Sequence, residues 1–432
     1  MNKHIFTSLL SLFVIVGFTS FINPHTVSAQ PIEWEEFDLS PDNYNSIAYG
    51  NGVYVVVGDE ASMYSSDGKN WYPAMTSLAG VLYSVVYGDG KFVAVGSSNN
   101  TSTSNPVAYT STDGVIWSPS FEALPPKVNT GAGLKKVSYV YDNINEKNLF
   151  VAVGSDLSNL LGGSQIPYII YSSNGNEWFK ATLPMGVNGT ASDLTGGYNE
   201  DGEVVFLSSV ATNPLLSSSN IIMSTNGGAN WFYPDDALTG LDGFSGAAMS
   251  YLNGEFFLGG TISDMGSKLI YVMSSSDGFN WEQHEVGSTV SFFPRFNFAY
   301  GNDNYISIGA EESIYSLGGE NWEFFTPSFD KSTDFGVYPI QLIYADDSFV
   351  LLGQNELGES IVAFPKRLND SSEGLSSKSS SIFGTRFCSA GVTTFCRPQN
   401  GFVNNNPLIS IYTELLGLYQ QLLSAMQSEN SL

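Results

Sequence analysis

One short pattern occurs six times along the chain: a Ser, then Asp or Asn beside Gly, closed by a Trp. The first copy runs Tyr64-Ser65-Ser66-Asp67-Gly68-Lys69-Asn70-Trp71. The Asx position is filled by Asp67, Asp113, Asn174, Asn226 and Asp277, and by Gly318 in a degenerate sixth copy. The closing tryptophans are Trp71, Trp117, Trp178, Trp231, Trp281 and Trp322, separated by 46, 61, 53, 50 and 41 residues. Self-similarity at that period is the signature of a propeller or a solenoid.

The pattern has a physical reading. Asx followed by Gly suits a tight hairpin, because Gly takes positive φ and the Asx side chain bonds nearby backbone amides. The Trp offers a large surface for packing between sheets and an N–H that must find an acceptor. Each unit therefore reads as strand, acidic turn, strand, and an Asp in such a turn is read as structural rather than catalytic.

A second element lies upstream of each turn. Tyr49-Gly50-Asn51-Gly52 leads into Val53–Gly58, and Tyr87-Gly88-Asp89-Gly90 into Lys91–Gly96; weaker relatives start at Tyr251, Tyr300 and Tyr344. Asn-Gly and Asp-Gly between apolar runs are hairpin signals. The second run is apolar almost without alternation, as in a strand covered on both faces. Four strands per repeat make a propeller blade. Seven blades can be counted, and the seventh, around Tyr344–Gly353 and Ser360–Phe364, has no Trp of its own. Near the N-terminus Trp34 stands in Glu33–Phe37 with no blade before it. The expectation is an all-β, seven-bladed β-propeller whose N-terminal strand completes the last blade. Residues 31–366 give 48 positions per blade.

These turns resemble the Asp-box repeats of the sialidase-like propeller superfamily, Ser-x-Asp-x-Gly-x-x-Trp. Ser224–Trp231 has the full length, with Asn226 in the Asp position, and the Asp-bearing copies are one residue shorter. The resemblance covers about three quarters of the chain. It implies the propeller fold. On activity it is silent, since Asp boxes occur in sialidases, xyloglucan hydrolases, sortilin-type receptors and non-catalytic assembly factors.

Outside the propeller (residues 30–366) the chain changes character. Residues 1–29 read as a signal peptide, with Lys3 and His4 before an apolar stretch and Val27-Ser28-Ala29 as a cleavage site; an uncleaved anchor is the alternative. Residues 367–384 are a Ser-rich linker by composition. In residues 385–432 the two cysteines, Cys388 and Cys396, are expected to pair in an exported protein. An amphipathic helix is expected over Leu408–Gln427. Leu408, Leu415 and Leu422 recur every seventh residue, with Ile411 and Leu418 in the matching second position. So apolar a helix calls for self-association or docking, with folding back on the propeller as the alternative.

Charge narrows the partners. After signal removal 15 Lys plus Arg face 42 Asp plus Glu, a net charge of −27. That disfavours nucleic acid and an anionic membrane surface, which reward basic patches. No cofactor is expected; Ca²⁺ is compatible with the acidity, but no EF-hand loop appears. Sialidase chemistry is disfavoured, because a carboxylate-binding triad of arginines cannot be assembled from Arg295, Arg367, Arg386 and Arg397, of which one lies in the propeller. The one mature histidine, His284, stands on an outer strand and is read as structural.

Long connections, including Ser97–Val107, Ser118–Lys135, Ser155–Pro167, Thr182–Gly196 and Ser208–Asn220, must share the rim opposite the tight turns. With aromatics such as Phe121, Phe232 and Tyr233, they are the expected ligand face. The main reading is a secreted or cell-surface module that binds a glycan or an extracellular protein without catalysis. The alternative is a glycoside hydrolase using two carboxylates, drawn from Asp156, Asp193, Asp235, Asp236, Asp264, Glu311 and Glu312.

Overall fold

The computed structural model describes residues 33–39, 41–98, 105–120, 133–156, 165–211, 219–234, 244–264, 267–289, 296–309, 313–329 and 337–366. The signal segment, Cys388, Cys396 and the Leu408–Gln427 stretch lie outside them.

Seven sheets, antiparallel but for one pairing of the N-terminal strand β1 (Glu33–Asp38), are found among the described residues. Blade 1 is β2 (Tyr44–Gly50), β3 (Val53–Gly58), β4 (Ser62–Ser65) and β5 (Tyr72–Pro73). Blade 2 is β6 (Val81–Gly88), β7 (Lys91–Ser97), β8 (Pro106–Ser111) and β9 (Ser118–Pro119). Blade 3 is β10 (Gly133–Asp142), β11 (Lys147–Asp156), β12 (Ile166–Ser172) and β13 (Phe179–Lys180). Blade 4 has β14 (Thr190–Tyr198), β15 (Val204–Ala211) and β16 (Ser219–Ser224). Blade 5 is β17 (Phe244–Leu252), β18 (Glu255–Asp264), β19 (Ser267–Ser275) and β20 (Glu282–Thr289). Blade 6 is β21 (Phe298–Gly301), β22 (Asn304–Ser307), β23 (Ser313–Ser316) and β24 (Glu323–Phe325). After β25 (Ser328–Phe329), blade 7 is β26 (Tyr338–Ala345), β27 (Ser348–Gln354) and β28 (Ser360–Pro365), completed by β1.

The apolar second strands explain the ring. Side chains alternate across a strand, so each second strand feeds two interfaces. Val55 and Val57 pack with blade 2, while Tyr54 and Val56 pack with blade 7. Val93 and Val95 likewise face blade 3, and Phe92 and Ala94 face blade 1. Seven apolar clusters result, one at each boundary between successive blades, including that between blades 7 and 1. The core is therefore divided among the interfaces rather than gathered in one centre.

Each boundary also holds one Trp. Trp117, Trp178, Trp231, Trp281, Trp322 and Trp71 each join the cluster their blade shares with the one before. Trp34, fully buried, fills that position between blades 6 and 7. It is carried there by β1, which runs antiparallel to β28 from Trp34 opposite Pro365 to Asp38 opposite Ile361. The first strand of the chain is thus the outer strand of the last blade. Two sheets depart from four strands per repeat. Blade 7 gains a fifth, β25, which pairs parallel with β1 on its outer side. Among the described residues blade 4 shows no outer strand, and its edge is a bridge between Met223 and Phe232. There the residues next to Trp231 bond instead to the blade 3–4 connection, Thr182 donating to Ala229 and Trp231 to Thr182.

The Tyr-Gly pairs have a packing role the turn reading did not supply. A Cβ on Gly50 would lie 2.0 Å from the Tyr87 ring, on Gly88 2.2 Å from Tyr139, and on Gly301 2.0 Å from Tyr344. Each glycine is the seat for the tyrosine of the next blade. At the blade 3–4 boundary the arrangement inverts. Val140 stands at the glycine position, and Gly196 at the tyrosine position, where an added Cβ would meet Val140 at 2.7 Å.

Candidate functional site

The acidic turns at one rim spend their polar groups on themselves. In blade 1 the Asp67 carboxylate accepts N–H bonds from Lys69 (2.9 Å) and Asn70 (2.8 Å) and the Ser65 hydroxyl (2.9 Å). The Gly68 N–H donates to Ser65 Oγ, and the Trp71 indole donates to the Gly68 carbonyl at 2.9 Å. The same bonds recur around Asp113, Asn174 and Asp277, with Trp117, Trp178 and Trp281 on their glycine carbonyls. In the longer copy Asn226 accepts from the Asn230 N–H, and Trp231 donates to Gly228. Gly318 supplies no side chain, yet Gly319 still donates to Ser316 Oγ and Trp322 to the Gly319 carbonyl. The bonds from the Asn70 and Ile116 amides hold the Asp67 and Asp113 carboxyls below the ordinary range. Burial raises Asp277, but the Asn280 and Phe279 bonds outweigh it. Carboxylates held ionised in this way fasten turns and are poor proton donors.

The opposite rim is where the inner strands begin, and there most of them bulge. The ladder skips Asn45 in β2, Tyr83 in β6, Lys135 in β10, Ser192 in β14 and Ile340 in β26, and two residues in β17. A bulge removes local N–H groups from the ladder, and buried N–H groups need acceptors. The preceding blade provides them. Ser46 Oγ accepts from Val85 (3.1 Å), Ser84 Oγ from Val137 (3.2 Å), Asp193 Oδ2 from Met249 (2.8 Å) and Gln341 Oε1 from Ile47 (3.0 Å). Between blades 3 and 4, Lys136 Nζ lies 3.5 Å from Asp193 Oδ1. Side chains beside the bulges therefore tie successive blades together around the axis.

Inside this ring is a cavity of about 360 Å³, lined by inner-strand residues of blades 2 to 7 and by Phe296 and Asn297 just before β21. Lys136, Ser138, Asp193, Thr195, Asn297 and Gln341 give it polar walls, and Tyr87, Tyr139 and Tyr251 line it where the inner strands end at the tight-turn rim. The volume falls in the ~300–1,000 Å³ range of small-ligand sites. Among the described residues the cavity lining carries one charge of each sign, Lys136 and Asp193, paired with each other. A ligand here meets hydroxyls, amides and tyrosine rings.

Most of the anticipated site residues are elsewhere or outside the described residues. Among the described candidate carboxylates, Asp193 alone lines the cavity. Asp156 is buried at the end of β11, close enough to Tyr168 to act on it electrostatically, although burial is the larger reason that phenol is pushed up to about 12. Asp264 ends β18. Asp235, Asp236, Glu311, Glu312, Arg295 and Phe121 lie outside the described residues. Phe232 is not among the cavity-lining residues: it stacks on Phe279 with ring centroids 6.5 Å apart. His284 Nε2 pairs with Ser274 Oγ at 3.0 Å across β19 and β20. Among the described residues no cluster of three His, Cys, Asp or Glu is suited to a metal ion. Sequence reasoning missed Ser46, Ser84, Lys136 and Gln341, because three residue types tie the blades together and share no motif.

No family model and no curated protein matches the chain. Solved structures do, at low identity. A protein of unknown function from Dyadobacter fermentans is 13% identical, with 78% of this chain and 99% of that one covered and a TM-score of 0.41. An ulvan lyase of polysaccharide lyase family PL25 gives 9%, 73%, 90% and 0.45. A Trypanosoma rangeli sialidase gives 12%, 73%, 59% and 0.36. Most of the similar structures are carbohydrate-active enzymes, including a Bacteroides ovatus glycosyl hydrolase and a GH43 galactosidase. At these values the likeness is one of fold.

Proposed function

We propose that this protein is an exported, cell-surface or secreted propeller of Asp-box type that recognises a glycan at the long-connection end of its central channel. The observation that carries the reading is the cavity itself, roomy enough for a sugar residue and walled by hydroxyls, amides and tyrosines. Those groups suit the polyhydroxylated surface of a saccharide. The Leu408–Gln427 segment is proposed to oligomerise or attach the molecule, and Cys388 and Cys396 to close a small loop beside it.

Glycan cleavage is the second reading. The activities printed for the similar structures, glycosyl hydrolase, lyase and sialidase, belong to those proteins, and they fit cleavage at least as well as binding. A hydrolase needs two carboxylates across the scissile bond. Among the described residues the cavity offers Asp193, and it is engaged by Lys136 and the Met249 N–H. That favours binding.

The test is a glycan array probed with the intact protein, followed by incubation of each bound glycan and product analysis. Retention of a defined set without products supports recognition. Products, abolished by Asp193→Asn or by change of a rim carboxylate, would replace it with cleavage. Absence of any retained glycan would overturn both.

A further inference from the structure

Each single-residue bulge places one extra residue at the long-connection rim, and two of these meet across a blade boundary. Tyr83 is the extra residue of β6 and Lys135 that of β10. The Lys135 ammonium lies 3.5 Å from the centroid of the Tyr83 ring. Lys135 is only partly exposed, and among the described residues no carboxylate pairs with it. Five other described lysines, Lys69, Lys91, Lys136, Lys147 and Lys366, each have a carboxylate within 4 Å, in a chain with 42 acids to 16 bases, and Lys180, which also lies over a ring, stands farther from its centroid at 5.9 Å.

A cation held over a ring face is fixed in place yet keeps N–H donors for another partner. Neighbouring groups hold the platform still. Asn45, the extra residue of β2, donates to the Leu82 carbonyl at 2.9 Å, next to Tyr83, and to Asp59 at 3.4 Å. Burial, with Asp59 adding to it, raises the Tyr83 phenol, so the ring beneath the ammonium stays neutral. Burial also lowers the Lys135 ammonium, a strain that an arriving anion relieves.

We infer that Lys135 and Tyr83 form an anion subsite at the channel mouth, taking the carboxylate or sulfate of an acidic sugar. This rests on the glycan reading and narrows it: the preferred ligand is an anionic polysaccharide despite the acidic chain. The adjacent Lys136 then marks where the same ligand continues into the cavity.

The experiment measures binding of the intact protein to polygalacturonate (carboxylate), dextran sulfate (sulfate) and unmodified dextran. Tighter binding of at least one acidic polymer by tenfold or more, falling as salt is raised, is expected. Lys135→Gln should abolish that preference with an unchanged unfolding temperature, Lys135→Arg should retain it, and Tyr83→Leu should weaken it severalfold. The two acidic polymers distinguish the anion. Unaltered acidic-polymer binding by Lys135→Gln would overturn the subsite. A preference for neutral glycans would overturn it too while leaving the glycan reading intact. No retention of any glycan, on these polymers and on the array, would remove both.

Discussion

At Asp113 a single carboxylate accepts the amides of Val115 and Ile116 and the Ser111 hydroxyl, and so replaces three water contacts with one fixed turn. Hydrogen bonds to a charged acceptor contribute more than neutral ones, but this group is exposed and screened. Asp113→Ala is therefore expected to cost about 1 kcal/mol, read by urea unfolding. Asp113→Asn should cost less, because Asn174 and Asn226 make the corresponding bonds. The lowered carboxyls of Asp67, Asp113 and Asp277 set the sign of the acid response. Their contribution is complete above the unfolded value of about 4 and is lost as pH falls below it towards the folded values. The midpoint of thermal unfolding should drop below about pH 4, and the Asp67→Asn, Asp113→Asn, Asp277→Asn triple variant should flatten that drop. Packing at the Tyr-Gly seats is less forgiving. Gly88→Ala, driven into the Tyr139 ring, is expected to destabilise by ~1–3 kcal/mol, measured the same way.

Among the elements, the outer strands of blades 1 to 3 are two residues long and the burden of closure falls on β1. It joins the two ends of the ring through β28, and its Trp34 fills the boundary between blades 6 and 7. Trp34→Ala is expected to cost ~3–5 kcal/mol, the range for emptying an aromatic site in a core, and should leave a propeller that unfolds at lower denaturant. The strands were legible in the sequence because hairpin chemistry and the two-faced burial of the second strand both leave marks. So was closure, since seven tryptophans and six complete turns leave one Trp for an unfinished blade. The missing outer strand of blade 4 was not legible. Phe232 and Tyr233 follow Trp231 as a strand would, yet among the described residues the pairing with β16 is the single exchange between Phe232 and Met223. The bulges were also hidden, because each is defined by a partner strand and not by a residue type.

For the whole molecule, the ring concentrates its variability and its open polar groups at one end of one channel. Cohesion is spread over seven interfaces, so no single blade has a core of its own. The sequence placed the ligand face on the long-connection rim but nominated carboxylates by abundance. The described cavity instead presents Lys136 paired to Asp193, amides and hydroxyls, a selection set by register at the bulges. The measurement that tests this site most directly is titration of an array-selected glycan against the protein and its Ser138→Trp variant, which fills the cavity from β10. The account predicts loss of binding by at least tenfold with the unfolding temperature nearly unchanged. Equal affinity in a folded Ser138→Trp variant would contradict it and move the ligand off the channel.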